Sequence, residues 1–342
     1  MIIESINVTG FRNLETYKTS FSKNRNLIYG QNGAGKTSLL EAVFLLAFAK
    51  SFLNRKKSDL VNHGRDEFII RLQCSSRCGT SLVSAHYDNR LTLFLNDKKT
   101  TIFEINRCLY PVFFSSSDYN LYIENIPYTR KLIDRFIFGV NSLYIRCILS
   151  YNKALKQKNH LLKTTQNLSE LSSWNRIISE VAEKIVSIKI KFIERLNIET
   201  RSKFNKDLSV EYHPSFKVDK GISADIFYTQ LQSQQSRELK YQRSFLGPHL
   251  DGCEFRLNSQ PLKLFSSGEK KIHLLMIYIS FIELFKGVKE EYPVFLLDDF
   301  DTAIDTGNID FLMKSYPEMQ VIATSVTQNP GFDRLIELIK EN

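Results

Sequence analysis

The stretch Gly30-Gln31-Asn32-Gly33-Ala34-Gly35-Lys36-Thr37-Ser38 constrains this chain more than any other. It fits G-x-x-x-x-G-K-[ST], a loop whose successive backbone N–H groups wrap a phosphate chain. Glycine is needed because such a loop takes dihedrals that a Cβ forbids. Lys36 then reaches the β- and γ-phosphates as a point charge, and the Thr37 hydroxyl is placed to ligate Mg²⁺. Residues 26–29 read as a short buried strand and residues 38–46 as a buried helix whose N-terminus faces the anion. A chance glycine-rich turn is the competing reading, and the strand–loop–helix context weighs against it.

A chain of 342 residues exceeds the usual single core, so one large or two moderate domains are expected. Hydrophobic content of 43% and charged content of 24% are ordinary for a soluble globular protein, and the net charge of +9 leans towards an anionic partner. Five cysteines (Cys74, Cys78, Cys108, Cys147, Cys253) include one close pair and no second pair to complete a zinc site. They read as free thiols in a reducing cytosol. Glu4 stands where a signal peptide is basic, and the apolar run 42–49 is too short to span a bilayer. A cytoplasmic location with no membrane partner is expected.

Residues 2–13 alternate apolar and polar, with Ile6 and Val8 on one face, and predict an opening strand beside the strand that feeds the phosphate loop. The basic run that includes Arg55, Lys56 and Lys57 leaves phosphate contact and a solvated turn equally open. Strand patterns over 68–74, 82–87 and 90–97, the last closed by an Asn-Asp turn, predict an antiparallel β layer. From Tyr128 onward helical periodicity takes over. Tyr144, Ile148, Tyr151, Leu155 and Leu162 form one stripe, and Trp174, Ile178, Val181, Ile185, Ile188 and Phe192 another. With the polar run 163–173 as a turn, they predict an antiparallel helical hairpin, or two ordinary helices on a core. The Gln/Ser-rich run 229–236 reads as a loop back to the first domain.

Near the end, Ser266-x-Gly268-Glu269 opens a strongly apolar helix with a capping-box spacing. The strand over 294–297 ends in Asp298-Asp299. With a phosphate loop upstream, Asp298 is placed to hold Mg²⁺ beside Thr37, and Asp299 to orient or deprotonate an attacking water. A third buried strand over 319–323 ends at Thr324-Ser325, whose hydroxyls are candidates for sensing a γ-phosphate.

A capped Ser-x-Gly helix just ahead of an acidic strand tip resembles the ABC-type ATPases, and the SMC and Rad50 branch splits its head around a helical arm. Here the arm is a stub. That combination resembles the RecF family of bacterial DNA replication and repair proteins. The likeness runs through Phe11-Arg12-Asn13, the phosphate loop with Leu39-Leu40-Glu41-Ala42, Lys50-Ser51-Phe52, the segment 151–159, Gly247-Pro248-His249-x-Asp251, Phe265-Ser266-x-Gly268-Glu269-x-Lys271 and Leu297-Asp298-Asp299. Departures fall at Leu250 and Gly252, at residues 115–117, and at Thr302-Ala303-Ile304-Asp305.

The resemblance implies an α/β fold: an ABC-type P-loop ATPase head, with a mixed sheet, helices and an antiparallel β layer, formed by residues 1–115 and 241–342. Residues 116–240 form an inserted α-helical arm. It implies ATP and Mg²⁺ as cofactors, bound by Gly30 to Ser38 of one subunit with Thr37 and Asp298 on the metal. Ser266 and Gly268 of a second copy complete the site, so ATP drives homodimerisation. Lys36 and Asp299 carry the chemistry, the shorter Asp where ABC ATPases use Glu predicts slow turnover, and DNA is expected to stimulate it. Arg55, Lys56, Lys57, Lys153, Lys156 and Lys158 are the candidate DNA contacts. The family further implies double-stranded, gapped or junction DNA, RecO and RecR as partners in loading RecA, and roles in replication and the SOS response. Two other classes stay open: an ABC-type ATPase acting on a protein in transport or defence, and a nucleotide-binding scaffold that does not hydrolyse.

Overall fold

The computed structural model describes residues 1–53, 55–115, 119–164, 168–300 and 315–339. The chain separates into two compact units, residues 1–119 with 267–342, and residues 120–266.

In the first unit, β1 (Ile2–Phe11), β2 (Leu14–Ser20), β3 (Arg25–Tyr29), α1 (Lys36–Phe48), β4 (Glu67–Ser76), β5 (Gly79–Asp88), β6 (Arg90–Leu95), β7 (Lys98–Lys99), α2 (Ile102–Ile105) and β8 (Pro111–Ser115) follow in order. The strands β2-β1-β4-β5-β6-β7 form an antiparallel layer. Asn96 and Asp97 both take positive φ (50° and 61°), which closes the last hairpin with the twist its strands require. Ile6 and Val8 of β1 are buried, in keeping with alternation, and Ile3 is buried ahead of a register shift between Ile3 and Ser5.

The neighbours of β1 differ from the expectation. It pairs with β2 and β4, whereas β3 lies in a separate sheet. The two kinds of strand explain the separation. Alternating β1 suits a layer with one buried face, while β3, β8, and later β12 (Val294–Asp298) and β13 (Val321–Ser325) are mostly buried through their length. Those strands pair in parallel, in the order β14-β3-β13-β12-β8, with β14 (Arg334–Glu337) at an edge. The register aligns Tyr29 with Ser325 and Asp298 with Ser115, so the carboxyl ends of these strands finish together.

The intervening elements are α3 (Tyr119–Glu124), α4 (Ile126–Val140), α5 (Ser142–Thr164), α6 (Leu168–Phe204), β9 (Leu208–His213), α7 (Ala224–Tyr241), β10 (Gly252–Leu257) and β11 (Gln260–Pro261), before α8 (Ser267–Lys289) returns to the first unit. Helices α5 and α6 pack as a pair, with Tyr144, Tyr151, Leu162, Ile178, Ile185 and Phe192 buried. The helical pattern resumes at Leu168, sooner than the polar run suggested, because Leu171 is buried against Leu161 and Leu162. The 229–236 run is not a loop but the middle of α7. Phe227, Leu231 and Glu238 give that helix a buried face, and Ser223 caps it by accepting from Ile226 N–H at 3.2 Å. Residues 241–266 cluster with the helices because β10 pairs along all of β9.

A buried ion network holds this second unit together. The Asp251 carboxylate accepts from Lys189 Nζ at 3.2 Å, Ser215 N–H at 3.0 Å and the Tyr212 hydroxyl, and Lys189 also meets Asp134 at 3.3 Å. Asp251 and Lys189 are fully buried. His249, two residues earlier, hydrogen-bonds the Tyr151 hydroxyl at 2.5 Å, and burial, with the like charge of Arg130, holds its pKa down at about 4.

Asp251→Asn leaves the Lys189 charge poorly matched in the interior and is expected to cost about 3–5 kcal/mol of stability, read from the urea midpoint. His249 gives a second expectation. The unfolded chain protonates this histidine near its ordinary value of 6.5 and the folded chain only near 4, so its contribution is complete above 6.5 and drains as pH falls through that window. A loss of on the order of 2–3 kcal/mol across the window should flatten in His249→Asn, measured by chemical unfolding at stepped pH.

Candidate functional site

The phosphate loop joins β3 to α1 with the backbone it needs. Gly30, Gly33 and Gly35 sit at φ of 152°, 83° and 106°. A Cβ on Gly30 would lie 2.2 Å from the Leu338 carbonyl oxygen, and one on Gly35 would lie 2.6 Å from Leu14 Cδ2. Neither position has room for a larger residue. Gln31, Asn32 and Gly33 are exposed, whereas Ala34, Gly35, Lys36 and Ser38 are buried. No side chain caps the start of α1 and its first turn carries no acid, so its leading N–H groups and positive dipole end face an anion without competition.

Lys36 is only 5% exposed, and its ammonium donates to the Gly30 carbonyl at 2.7 Å and the Gln31 carbonyl at 3.1 Å. The cation is thus folded back on the loop it serves. Thr37 donates to Asp298 Oδ1 at 3.1 Å, and Thr324 donates to the same oxygen at 2.7 Å. Sequence brings Thr37 and Asp298 no closer than 261 positions, but the parallel register puts the ends of β3, β13 and β12 side by side. Thr324 also accepts from the Asp299 N–H at 2.9 Å, so its hydroxyl positions the acidic pair instead of waiting for a phosphate. Asp299 follows the strand at φ 49°, a left-handed turn that half-buries it. A hydroxyl and a carboxylate meeting at the mouth of an anion-binding loop form a hard oxygen donor set of the kind Mg²⁺ takes.

The opening motif proves to be part of this site. Asn13 donates to the Gly33 carbonyl at 2.7 Å and accepts from the Ser38 hydroxyl at 2.6 Å, bracing the loop at two points. Arg12 donates to Glu41 at 2.7 Å; Glu41, fully buried in α1, also accepts from Ser51, whose hydroxyl accepts in turn from Leu53 N–H at 3.0 Å. Three separated motifs thereby meet on one carboxylate. Sequence reasoning found each stretch by resemblance but not its contacts. The usable signal was an acidic Glu41 inside an otherwise apolar helix pattern.

Ser266 immediately precedes α8 and Gly268 lies in that helix's first turn, where a Cβ would meet no atom within 4 Å. The neighbouring Ser267 hydroxyl pairs with the Tyr119 hydroxyl at 2.8 Å. Residues 302–305 and 116–118 lie outside the described residues. Among the candidate DNA contacts, Arg55, Lys56, Lys57, Lys153 and Lys156 are exposed. Lys158 is the exception. It is fully buried, with its ammonium 2.7 Å from a Glu238 carboxylate oxygen, and burial pushes its pKa down against the pull of that carboxylate. A lysine committed to neutralising an interior acid is not available to a phosphate, so Lys158 is withdrawn from the DNA-contact set.

The RecF/RecN/SMC N terminal domain family matches residues 2–337. The chain is 32% identical to the DNA replication and repair protein RecF of Acetivibrio thermocellus, over 95% of its own length and 93% of the relative's. A solved structure described as the recombination mediator protein RecF-ATP in the RecFOR pathway matches with a TM-score of 0.88 at 26% identity, covering 96% of this chain and 93% of that one. The Smc head domain of Pyrococcus furiosus, with an extended coiled coil, shares the fold at 17% identity and a TM-score of 0.52, over 95% of this chain and 90% of the other. No helix among the described residues is long and apolar enough to cross a membrane. With its phosphate loop, acidic strand tip and inserted helices in the same order along nearly the whole length, the chain belongs to the RecF family of DNA replication and repair proteins, within the RecF/RecN/SMC class of ABC-type ATPases.

Proposed function

We propose that this protein is an ATP-gated DNA clamp of recombinational repair, cycling between an open form and an ATP-closed homodimer. The observation that carries the reading is the Thr37–Asp298 contact, which joins the phosphate loop to the acidic strand tip. Bound Mg²⁺ supplies charge neutralisation of the β- and γ-phosphates, with Thr37 and Asp298 as the residues that hold it. Lys36 exchanges its two loop carbonyls for phosphate oxygens. Asp299 orients the attacking water and takes its proton. Its carboxylate is one methylene shorter than glutamate, which supports slow turnover.

Ser266 and Gly268, at the start of α8, belong to the closing half-site supplied by a second copy. A hydroxyl, small residues and a helix N-terminus suit the γ-phosphate. ATP then favours the dimer because it binds that state better. The formal charge of +9 and the exposed Arg55, Lys56, Lys57, Lys153 and Lys156 support contact with DNA phosphates without sequence readout, and DNA bound there is the proposed stimulus to hydrolysis. The relative described as a recombination mediator of the RecFOR pathway supports RecO and RecR as partners, and gapped or junction DNA is the substrate the family resemblance implies.

Ser266→Arg places a bulky cation in the closing half-site. It is expected to abolish ATP-dependent dimerisation while leaving monomer ATP affinity within about threefold, since the phosphate loop is untouched. Light scattering and nucleotide titration check the two parts, and an ATP-dependent dimer in the variant would sink the trans-site reading. Asn13→Ala removes two braces of the loop, each worth roughly 0.5–1.5 kcal/mol, so ATP affinity should fall about tenfold and the thermal midpoint should drop by about 2–4 °C for each kcal/mol lost. Fluorescent-nucleotide titration beside a melting curve measures both.

A further inference from the structure

Helix α8, whose start carries Gly268 and follows Ser266, is fastened along one side. Phe285, Phe281, Tyr278, Lys271 and Ser267 are separated by four, three, seven and four positions, so they share one stripe of the helix. That stripe meets β8 and its flanks in order. Tyr110, which leads into β8, stacks on Phe285 at 5.0 Å and lies 6.3 Å from Phe281, and Phe114 meets Tyr278 edge-on at 5.2 Å. Tyr119, the first residue of α3, takes the last two positions. Its ring centre lies 5.2 Å from Lys271 Nζ, and its hydroxyl pairs with that of Ser267 at 2.8 Å. All of these residues belong to the first compact unit.

Ser267 begins α8 and is exposed, whereas Tyr119 is only 7% exposed. A buried ring thus holds an exposed helix end. Ring packing fixes the body of a helix, but its first turn has unpaired N–H groups and frays unless a side chain holds it. Gly268 lies about 100° further round the axis than Ser267, and a Cβ there would meet nothing within 4 Å, so the grip leaves that face open. Strand β8 also runs beside β12, with Ser115 opposite Asp298. One strand therefore borders the acidic tip and, through Phe114, anchors the helix whose first turn Tyr119 holds.

We propose that Tyr119 is a positioning residue for ATP-driven closure. Through Ser267 and Lys271 it holds the first turn of α8 at the angle that presents Ser266 and Gly268 to the γ-phosphate bound by a second copy. The inference rests on the clamp reading above for what that half-site does. Tyr119 acts through the helix and not on the nucleotide, so its hydroxyl governs dimerisation and leaves the phosphate loop alone.

The test uses the full chain, with light scattering in ATP for dimerisation and fluorescent-nucleotide titration of the dilute monomer for affinity. Tyr119→Phe removes the hydroxyl and keeps the ring. It is expected to raise the protein concentration for half-maximal dimerisation on the order of tenfold, because one hydrogen bond is worth a factor of roughly two to ten and the symmetric dimer holds two copies of it. Monomer nucleotide affinity should stay within about twofold, and hydrolysis per chain should fall in dilute protein and recover at high protein concentration, which a merely damaged fold does not do. Ser267→Ala, at an exposed position, should give the same loss without touching the core, and the double variant should lose no more than either single one, since both remove the same bond. Unchanged dimerisation in Tyr119→Phe overturns the proposal, as do additive losses in the double variant or an equal loss of monomer affinity. An unaltered chain that forms no ATP-dependent dimer brings down the clamp reading and the half-site role with it, so the two failures are told apart.

Discussion

One carboxylate oxygen, Asp298 Oδ1, joins the parts of the head that must act together. It accepts from Thr37 at the start of α1 and from Thr324 at the end of β13, and Thr324 in turn receives the Asp299 N–H. The oxygen is nearly buried, and a buried carboxylate is costly unless such donors face it. The arrangement fixes the distance between phosphate loop and acidic strand tip through three parallel strands whose spacing the ladder sets. On the proposed reading, a metal held by Thr37 and Asp298 would meet donors already in place, so little ordering entropy would be left to oppose it.

Much of this was legible in the sequence, for a local reason. The phosphate loop, the apolar strand into Asp298-Asp299 and the alternating β layer are patterns over a few residues, and local geometry dictates them. The placement of β1 was not legible, since adjacency in sequence does not decide which sheet an alternating strand joins. Helix α7 was missed because glutamine and serine dilute its buried face to Phe227, Leu231 and Glu238. The roles of Arg12 and Asn13 were hidden for a different reason. Their partners Glu41, Gly33 and Ser38 lie 20 or more positions away, and no spacing rule links them.

Buried acids recur as fixing points. Glu41 meets Arg12, Asp251 meets Lys189 and Glu238 meets Lys158, and each acid also accepts from a serine hydroxyl or a backbone N–H beyond its ion pair. Such pairs contribute little net stability compared with a well-packed apolar replacement, because desolvating two charges offsets their attraction. Their effect is directional. An apolar core could bring α1 and β1 together in several registers, whereas a carboxylate with a cation on one side and a hydroxyl on the other accepts few.

The same pairing decides where the positive charge of this protein can act. A net charge says how strongly a polyanion is drawn in, but not which cations receive it. Arg176 faces Asp225, Arg201 faces Asp207, and Arg256 faces Glu211 and Glu254, so each already has a carboxylate. Lys158 shows how far this can mislead. It reads as a surface lysine on a basic helix, yet its charge is cancelled in the interior by Glu238. By cancelling it, Lys158 lets Glu238 hold the turn that sets Arg237 and Arg243 against Phe245. A guanidinium held on a ring keeps its charge and its outward N–H donors, whereas one held by a carboxylate has spent both. The cations left to recognise an anion are therefore chosen by which acids the fold has buried.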